Sequence, residues 1–328
     1  MDLPVSATGL ERMLQQSAAQ EGGHGGQFRL LDFTPLEQTT SFPCFLLFVE
    51  TTTGSRLKLF LKDYSASRLP KDGLAGRIER EVRVYQDLLT AANLGTAACY
   101  GTGPDGQKGP AWLLLEYVPG IELRSCGFEA YLHAAAWLGK LHAYFHLHPQ
   151  KLDGANYLVY HKKDFFADRA RSAVQAVSGY GSSLAERLMV VLKDYDHIID
   201  RQITQTHTLV HGSFRPQNIL LVEEDPAWRV CPVDWELAGH GSQFFDLAFL
   251  TDGYQPPRLN MLLDAYGQEL KQCGMPVPDR QALLEVLDCF RLHKMLKSLS
   301  DSLPMNFPLS SVTKILALAE KIRSDIIL

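Results

Sequence analysis

Two short stretches, His211-Gly212-Ser213-Phe214-Arg215-Pro216-Gln217-Asn218 and Val233-Asp234-Trp235-Glu236, constrain this chain more than any other feature. The interval from Asn218 to Asp234 has room for one β-hairpin: a strand at Ile219–Val222, a turn at Glu223–Pro226 and a second strand at Trp228–Val233. A tight hairpin presents the residues at its two open ends side by side, here the amide of Asn218 and the carboxylate of Asp234. Mg2+ takes an octahedron of oxygen ligands and is usually held by one or two protein groups together with nucleotide phosphates. An amide oxygen beside a carboxylate meets that need, which makes Asn218 and Asp234 candidate metal ligands.

Downstream, Gly239-His240-Gly241 and Asp246-Leu247-Ala248 extend the pattern. A lone His-Gly or Asp-Trp-Glu carries little information, but four elements in order over about forty residues carry a great deal. The succession resembles the catalytic loop and metal-binding turn of the aminoglycoside phosphotransferase and choline kinase superfamily, which shares the two-lobed fold of protein kinases. That resemblance implies an α+β, protein-kinase-like architecture. A small antiparallel-sheet lobe with a helix would run from about Gln27 to Tyr117, and a large, mainly helical lobe from Val118 to Leu328, after a helical extension and linker over residues 1–26. It implies ATP or another NTP with Mg2+, a small-molecule acceptor bound by the helical lobe, and an Asp246 that braces the catalytic loop.

Other parts of the same pattern lie in the expected order. Arg56–Asp63 reads as a strand, and Lys62 near its end resembles the lysine that holds the α- and β-phosphates. Glu81, in a helical stretch from Arg77 to Leu89 with Ile78, Val82, Tyr85 and Leu89 on one apolar face, resembles the glutamate that pairs with that lysine. Leu113–Gly120 resembles the last strand of the small lobe and the hinge. There the resemblance implies an adenine contact through the backbone C=O of Glu116 and N–H of Val118. The loop that covers the phosphates should lie between Phe28–Leu31 and Phe45–Val49. It reads Thr34 to Pro43 and contains no glycine, although Thr39, Thr40 and Ser41 offer hydroxyls. The cluster Gly22-Gly23-His24-Gly25-Gly26 precedes the first strand and reads as a linker.

One residue departs from the family. Its loop reads His-Gly-Asp, with the Asp as general base, and here that position is Ser213. A serine hydroxyl is no base near neutral pH, and a general base is typically worth ~10²–10⁴ in rate. Phosphoryl transfer nonetheless depends mostly on positioning and charge stabilisation. Arg215 stands two residues on, where protein kinases carry a phosphate-contacting lysine, and a guanidinium there would clamp a phosphoryl group bidentately. The candidate catalytic set is therefore Ser213, Arg215, Asn218 and Asp234. Three readings follow: transfer to an acceptor already ionised, a base supplied by Glu236 or a carboxylate of the helical lobe, or a pseudokinase that binds nucleotide without transfer. Tyr157, Tyr160, Trp235 and Glu236 are candidates for the acceptor side.

Length and composition fit such a chain. Its 328 residues exceed one typical core, and 46% hydrophobic with 21% charged residues is the balance of a folded protein. A net charge of −5 gives no reason to expect nucleic acid or an acidic membrane as partner. Cys44, Cys99, Cys126, Cys231, Cys273 and Cys289 are scattered with no C-x-x-C and read as reduced thiols of a cytoplasmic protein. No apolar run reaches the ~18 residues that span a bilayer, and the opening residues lack signal-peptide features. His142, His146 and His148 lack the glutamate of a zinc-binding helix and read as packing residues. Lys162, Lys163, Arg169 and Arg171 read as a solvated helix face. A helix over residues 8–20 with Thr8 and Glu11 as a capping box is expected, as are helices at 128–148, 164–177, 183–205, 256–273, 279–300 and 309–326.

Overall fold

Alternating apolar residues dominate the first third of the chain, and three-to-four spacing dominates most of the rest; each stretch forms the element its period allows. The computed structural model describes residues 3–20, 28–37, 41–51, 53–67, 72–103, 105–106, 109–224 and 227–326. In chain order the elements are α1 (Ala7–Gln20), β1 (Phe28–Leu36), β2 (Cys44–Thr51), β3 (Arg56–Asp63), α2 (Leu74–Arg83), α3 (Thr90–Ala92) and β4 (Cys99–Thr102). A minimal hairpin, β5 (Asp105–Gly106) and β6 (Gly109–Pro110), leads to β7 (Trp112–Glu116) and β8 (Ile121–Glu122). Then come α4 (Phe128–Leu147), β9 (Val159–Tyr160), α5 (Lys163–Ser178), α6 (Ser182–Val191), α7 (Tyr195–Ile203) and β10 (His207–Val210). The hairpin β11 (Ile219–Glu224) and β12 (Ala227–Pro232) is followed by β13 (Gly239–Ser242), α8 (Phe244–Leu250), α9 (Arg258–Gln272), α10 (Arg280–Asp301) and α11 (Leu309–Asp325).

Backbone contacts divide the chain into two compact units, Met1–Glu122 with Ile219–Leu237, and Leu123–Asn218 with Ala238–Leu328. The sequence suggested a boundary after Tyr117. The division falls later, and takes the β11–β12 hairpin into the first unit, because β8 pairs with β11 through Leu220↔Glu122 and Leu221↔Ile121.

The first unit carries the antiparallel sheet β1-β2-β3-β7-β4. One face packs Phe45, Leu47, Val49, Leu59, Leu61, Trp112 and Leu114 against Leu10 and Leu14 of α1, which gives the N-terminal helix its role as a cover for the sheet. The cap of α1 is Ser6 and not Thr8: Ser6 Oγ accepts from Gly9 N at 3.1 Å. With the helix starting earlier, Glu11 sits past the capping-box position and accepts from Leu30 N at 3.0 Å, tying α1 to β1. Thr34, Pro35 and Leu36 belong to β1 and not to the following loop; they oppose Leu46, Phe45 and Cys44. Proline is tolerated there because β1 is an edge strand. The loop is correspondingly shorter, and Thr39 and Thr40, like the glycines at 22–26, lie outside the described residues. The helix expected to end at Leu89 opens into a π-helical turn over Val84–Leu89, which buries Val84, Tyr85, Leu88 and Leu89 together.

In the second unit α4 packs on α9, and α10 packs on α5, α8 and α11. The sheet order is β10-β13-β9, with β13 parallel to β9. Glycine is required in β13 because His161 crosses it closely: a Cβ on Gly241 would stand 2.3 Å from His161 Nδ1. The helix expected over 183–205 is broken into α6 and α7 at Asp194, whose φ of 58° turns the chain. No Gly or Pro marks that break, and a short polar side chain tolerates the left-handed conformation. Asp279 caps α10, accepting from Gln281 N and Ala282 N at 3.0 Å each. Among the described residues no helix is long and apolar enough to cross a membrane.

Burial holds three histidines of this unit neutral. It lowers His142 and His161 from the usual 6.5 to about 3, and His293 well below its usual value. Such groups take up a proton only on unfolding, so their contribution to stability is complete above pH 6.5 and is lost progressively as pH falls toward 3. Each should forfeit about 2 kcal/mol between neutrality and pH 5. Denaturant unfolding should therefore give a steeply lower free energy at pH 5 than at pH 7. His161→Phe, which keeps the 4.2 Å stack on Phe165, should flatten that slope by one histidine's share; an unchanged slope would contradict the assignment.

Candidate functional site

Strand alternation places Lys62. Leu59 and Leu61 point into the core beneath α1, so Phe60 and Lys62 face the other side of the sheet. There Lys62 Nζ donates to Glu81 Oε1 and Oε2 of α2 at 2.9 and 2.7 Å, and to Asp234 Oδ1 at 3.1 Å. Tyr64 OH also donates to Glu81 Oε2 at 2.9 Å. The rings of Phe42 and Tyr64 lie 5.4 and 5.6 Å from the ammonium. Burial alone would push the Lys62 ammonium down, but Glu81 and then Asp234 outweigh it and hold its pKa above the ordinary lysine value. Lys62 thus stays charged between two carboxylates.

Asp234 follows the β11–β12 hairpin and adopts φ 67°, a conformation that aspartate tolerates better than most residues. Trp235 anchors it from below, fully buried with Nε1 donating to Pro232 O at 3.1 Å. Glu236 is buried as well. It accepts from Arg77 NH1 at 3.1 Å, and its carbonyl accepts from Arg80 NH1 at 2.6 Å. Helix α2, which carries Glu81, is therefore tied to the Asp-Trp-Glu segment by two guanidinium groups. Glu236 is engaged in this tether, and Trp235 and Tyr157 are core residues, which corrects their candidacy for the acceptor side. Arg77 and Arg80 were missed from sequence. Their partner Glu236 lies 159 and 156 residues further along the chain, so no local spacing signalled the contact.

The end of β7 is clamped in a similar way. Arg229 of β12 donates to both oxygens of Glu116 at 2.7 Å, and to Gly95 O and Thr96 O at 2.9 and 3.2 Å. That bidentate bond holds the Glu116 carboxyl below its usual pKa. Glu116 and Val118 line one cavity of about 440 Å³ with Lys62, Glu81, Tyr85 and Asp234. Its size is within the range of small-molecule and cofactor sites.

In the second unit the chain leaves β10 at Val210 and makes a tight loop. Asp246 accepts from His211 N at 2.5 Å and from Gly212 N at 3.0 Å, which is the bracing role expected of it. Burial pushes its carboxyl up to about 7, while the backbone N–H groups of His211, Gly212 and Phe214 pull the other way. Gly212 turns with φ 77°. His211, fully buried, accepts from Ser213 N at 3.2 Å through Nδ1, a loop-bracing contact. Phe214 is buried and stacked on Trp137 at 5.8 Å.

Ser213 and Asn218 are brought together within this loop. Asn218 Nδ2 donates to Ser213 O at 3.1 Å and lies 3.4 Å from Ser213 Oγ. Pinning the NH2 group leaves Asn218 Oδ1, the atom suited to a cation, without a partner among the described residues. Arg215 places its Cζ 5.4 Å from the Phe249 ring centroid. The basic residues near α5 are occupied: Lys163 pairs with Asp196 at 3.4 Å, Arg169 donates to Ser300 Oγ at 3.0 Å, and Arg171 pairs with Asp168. His142 Nδ1 bonds Tyr266 OH at 3.0 Å, a packing role.

Among curated proteins none matches this chain. Several solved structures share its fold. A GDP complex of a mutant aminoglycoside 2'-phosphotransferase-IIIa has 13% identity and a TM-score of 0.63, with 98% of each chain covered. A microcompartment-associated aminopropanol kinase has 16% identity and a TM-score of 0.58, with 95% of each chain covered. The macrolide 2'-phosphotransferase apoenzyme of Brachybacterium faecium has 17% identity and a TM-score of 0.57, over 94% of this chain and 97% of that one. At such identities the likeness establishes the architecture, which is the two-part α+β arrangement expected from the sequence. The sequence profile of the phosphotransferase enzyme family matches residues 33–285. This chain belongs to the phosphotransferase enzyme family.

Proposed function

We propose that this chain is an ATP- or NTP-dependent, Mg2+-requiring phosphotransferase acting on a small molecule that presents an already ionised oxygen. The observation that carries the reading is the Lys62–Glu81–Asp234 charge cluster opening on a 440 Å³ cavity that also includes the hinge residues Glu116 and Val118. Lys62, fixed by Glu81, would hold the nucleotide phosphates. The carboxylate of Asp234 in the first unit and, separately, the Asn218 Oδ1 in the second, which has no partner among the described residues, are oxygen donors of the kind a hard divalent cation such as Mg2+ takes. When bound, that ion would neutralise charge developing on the phosphate oxygens.

Ser213 is the reason to expect an ionised acceptor. In the transfer, an acceptor oxygen bonds to the γ-phosphorus while the bond to the β–γ bridging oxygen breaks, and the nucleoside diphosphate leaves with the electron pair. A hydroxyl acceptor must lose its proton along the way. Ser213 cannot take it, and the Glu236 carboxylate is buried and paired with Arg77. An ionised acceptor has no proton to lose. The same two facts favour a second reading, a pseudokinase that binds nucleotide and regulates through a partner.

Titration of the intact chain with ATP and Mg2+ tests nucleotide binding, and a phosphate-release screen over alcohols, sugars and acids tests transfer. Lys62→Ala should weaken ATP by about tenfold or more, the usual worth of a charged hydrogen bond. Binding without release on any acceptor would leave the pseudokinase reading. Identical ATP affinity in Lys62→Ala would remove the basis of both.

A further inference from the structure

We propose that the cavity of about 460 Å³ in the second unit, lined by Arg215, Lys294, Asp252, Phe249, Tyr131 and Tyr254, is the acceptor subsite, and that it takes a compact oxyanion, a phosphomonoester or carboxylate, attached to a body with a flat or apolar face. The proposal rests on the phosphotransferase reading and gives that reading its substrate class.

The charge balance of the cavity is the main argument. Two cations and one carboxylate line it. Lys294 is paired with Asp252, so its charge is largely matched. Arg215 is not matched. Among the described residues its guanidinium makes no hydrogen bond and no ion pair, and its Nε is buried without a partner. The two carboxylates whose field reaches it are Asp301 and Asp252. Asp301 already pairs with Lys297 at 2.8 Å and Arg169 at 3.8 Å, and Asp252 with Lys294. A half-buried guanidinium without an anion is costly to maintain. Its planar fork of donors matches the two oxygens of a carboxylate or phosphate.

Aromatic residues supply the rest of the site. Phe249 has both cations near its ring, Arg215 Cζ at 5.4 Å and Lys294 Nζ at 5.5 Å from the centroid, so one side chain sets the placement of the pair. Tyr131 and Tyr254 meet edge to face at 5.4 Å and form an aromatic wall. A cationic acceptor would meet like charge here, and a neutral one would leave Arg215 unpaired.

Calorimetric titration of the intact protein, without nucleotide, decides the matter with four matched probes: glycerol, glycerate, glycerol 3-phosphate and inorganic phosphate. Glycerate or the two phosphates should bind at least tenfold more tightly than glycerol, and the stronger of the two chemistries identifies the acceptor's anion. Arg215→Gln should weaken that binding by about tenfold to a hundredfold, with Arg215→Lys retaining part of it. Lys294→Met should weaken it several-fold and serves if the Arg215 variants do not fold. Equal binding of glycerol and the anions, or full anion affinity in both Arg215→Gln and Lys294→Met, overturns the proposal while leaving nucleotide binding in the first unit intact. Competitive displacement of glycerol 3-phosphate by Mg-free ATP would assign Arg215 to the nucleotide and overturn it as well. Anion binding without phosphate transfer would keep the subsite and reject the transferase reading.

Discussion

Replacing Asp234 by asparagine should lower Mg2+-dependent ATP affinity by more than about 100-fold, because groups that merely support metal ligands are commonly worth 10–100-fold and Asp234 is proposed as a ligand itself. Asparagine is chosen for a backbone reason. Asp234 sits at φ 67°, where alanine would add strain but asparagine is tolerated, so Asp234→Asn isolates the loss of charge. The substitution also removes one of the two carboxylates around Lys62, leaving Glu81 to hold it at 2.7 Å. Nucleotide binding in the absence of Mg2+ should therefore change little, while the Mg2+-dependent increment disappears. Titration with and without the metal separates the two. A full Mg2+ increment in Asp234→Asn would rule out this residue as the metal's main ligand.

Ser213→Asp is the second large effect, and its sign discriminates between mechanisms. On an ionised acceptor it should reduce turnover by about tenfold to a hundredfold, since like charges ~4 Å apart repel by about 4 kcal/mol at an effective dielectric near 20, before screening. Local geometry accommodates the change: Asn218 Nδ2, now 3.4 Å from Ser213 Oγ, can donate to the new carboxylate. Steady-state rates on the acceptor found by the screen provide the measurement. A rise of about 10²-fold or more would mean that the acceptor is a hydroxyl and that the chain had lacked its base. No turnover in either form, with Mg2+-dependent ATP binding retained, would identify a pseudokinase.

Much of the first unit's charge cluster was legible because its members are spaced by local rules. Lys62 sits on the polar phase of a strand whose other phase, Leu59 and Leu61, is core, and Glu81 lies on a helix with a readable apolar stripe. The Asn218-to-Asp234 interval reads as a hairpin because strands and turns have characteristic lengths, and the register Ile219↔Pro232 agrees. Helix α8 escaped detection for the converse reason: all seven of its residues are buried, so it has no amphipathic period to read. The cap at Ser6 was displaced by two residues from the expected one, and the break at Asp194 carries no Gly or Pro.

By itself the sequence determined the family, the fold class and most of the elements, and it picked out Lys62, Glu81 and Asp234, because periodicity and motif spacing are properties of neighbouring residues. Which charges meet was decided only in three dimensions. Lys62 and Asp234 are 172 residues apart, and Arg77 and Glu236 are 159 apart, yet both pairs lie at 3.1 Å. Nothing in the spacing reveals that Glu236 tethers α2, that Arg229 grips Glu116, or that Arg215 turns to Phe249 and Lys294. Long-range pairing depends on how packed elements present their side chains, and a local pattern does not encode it; among the described residues the Arg215 guanidinium stays unpaired because the tertiary fold gave the nearby carboxylates to other cations.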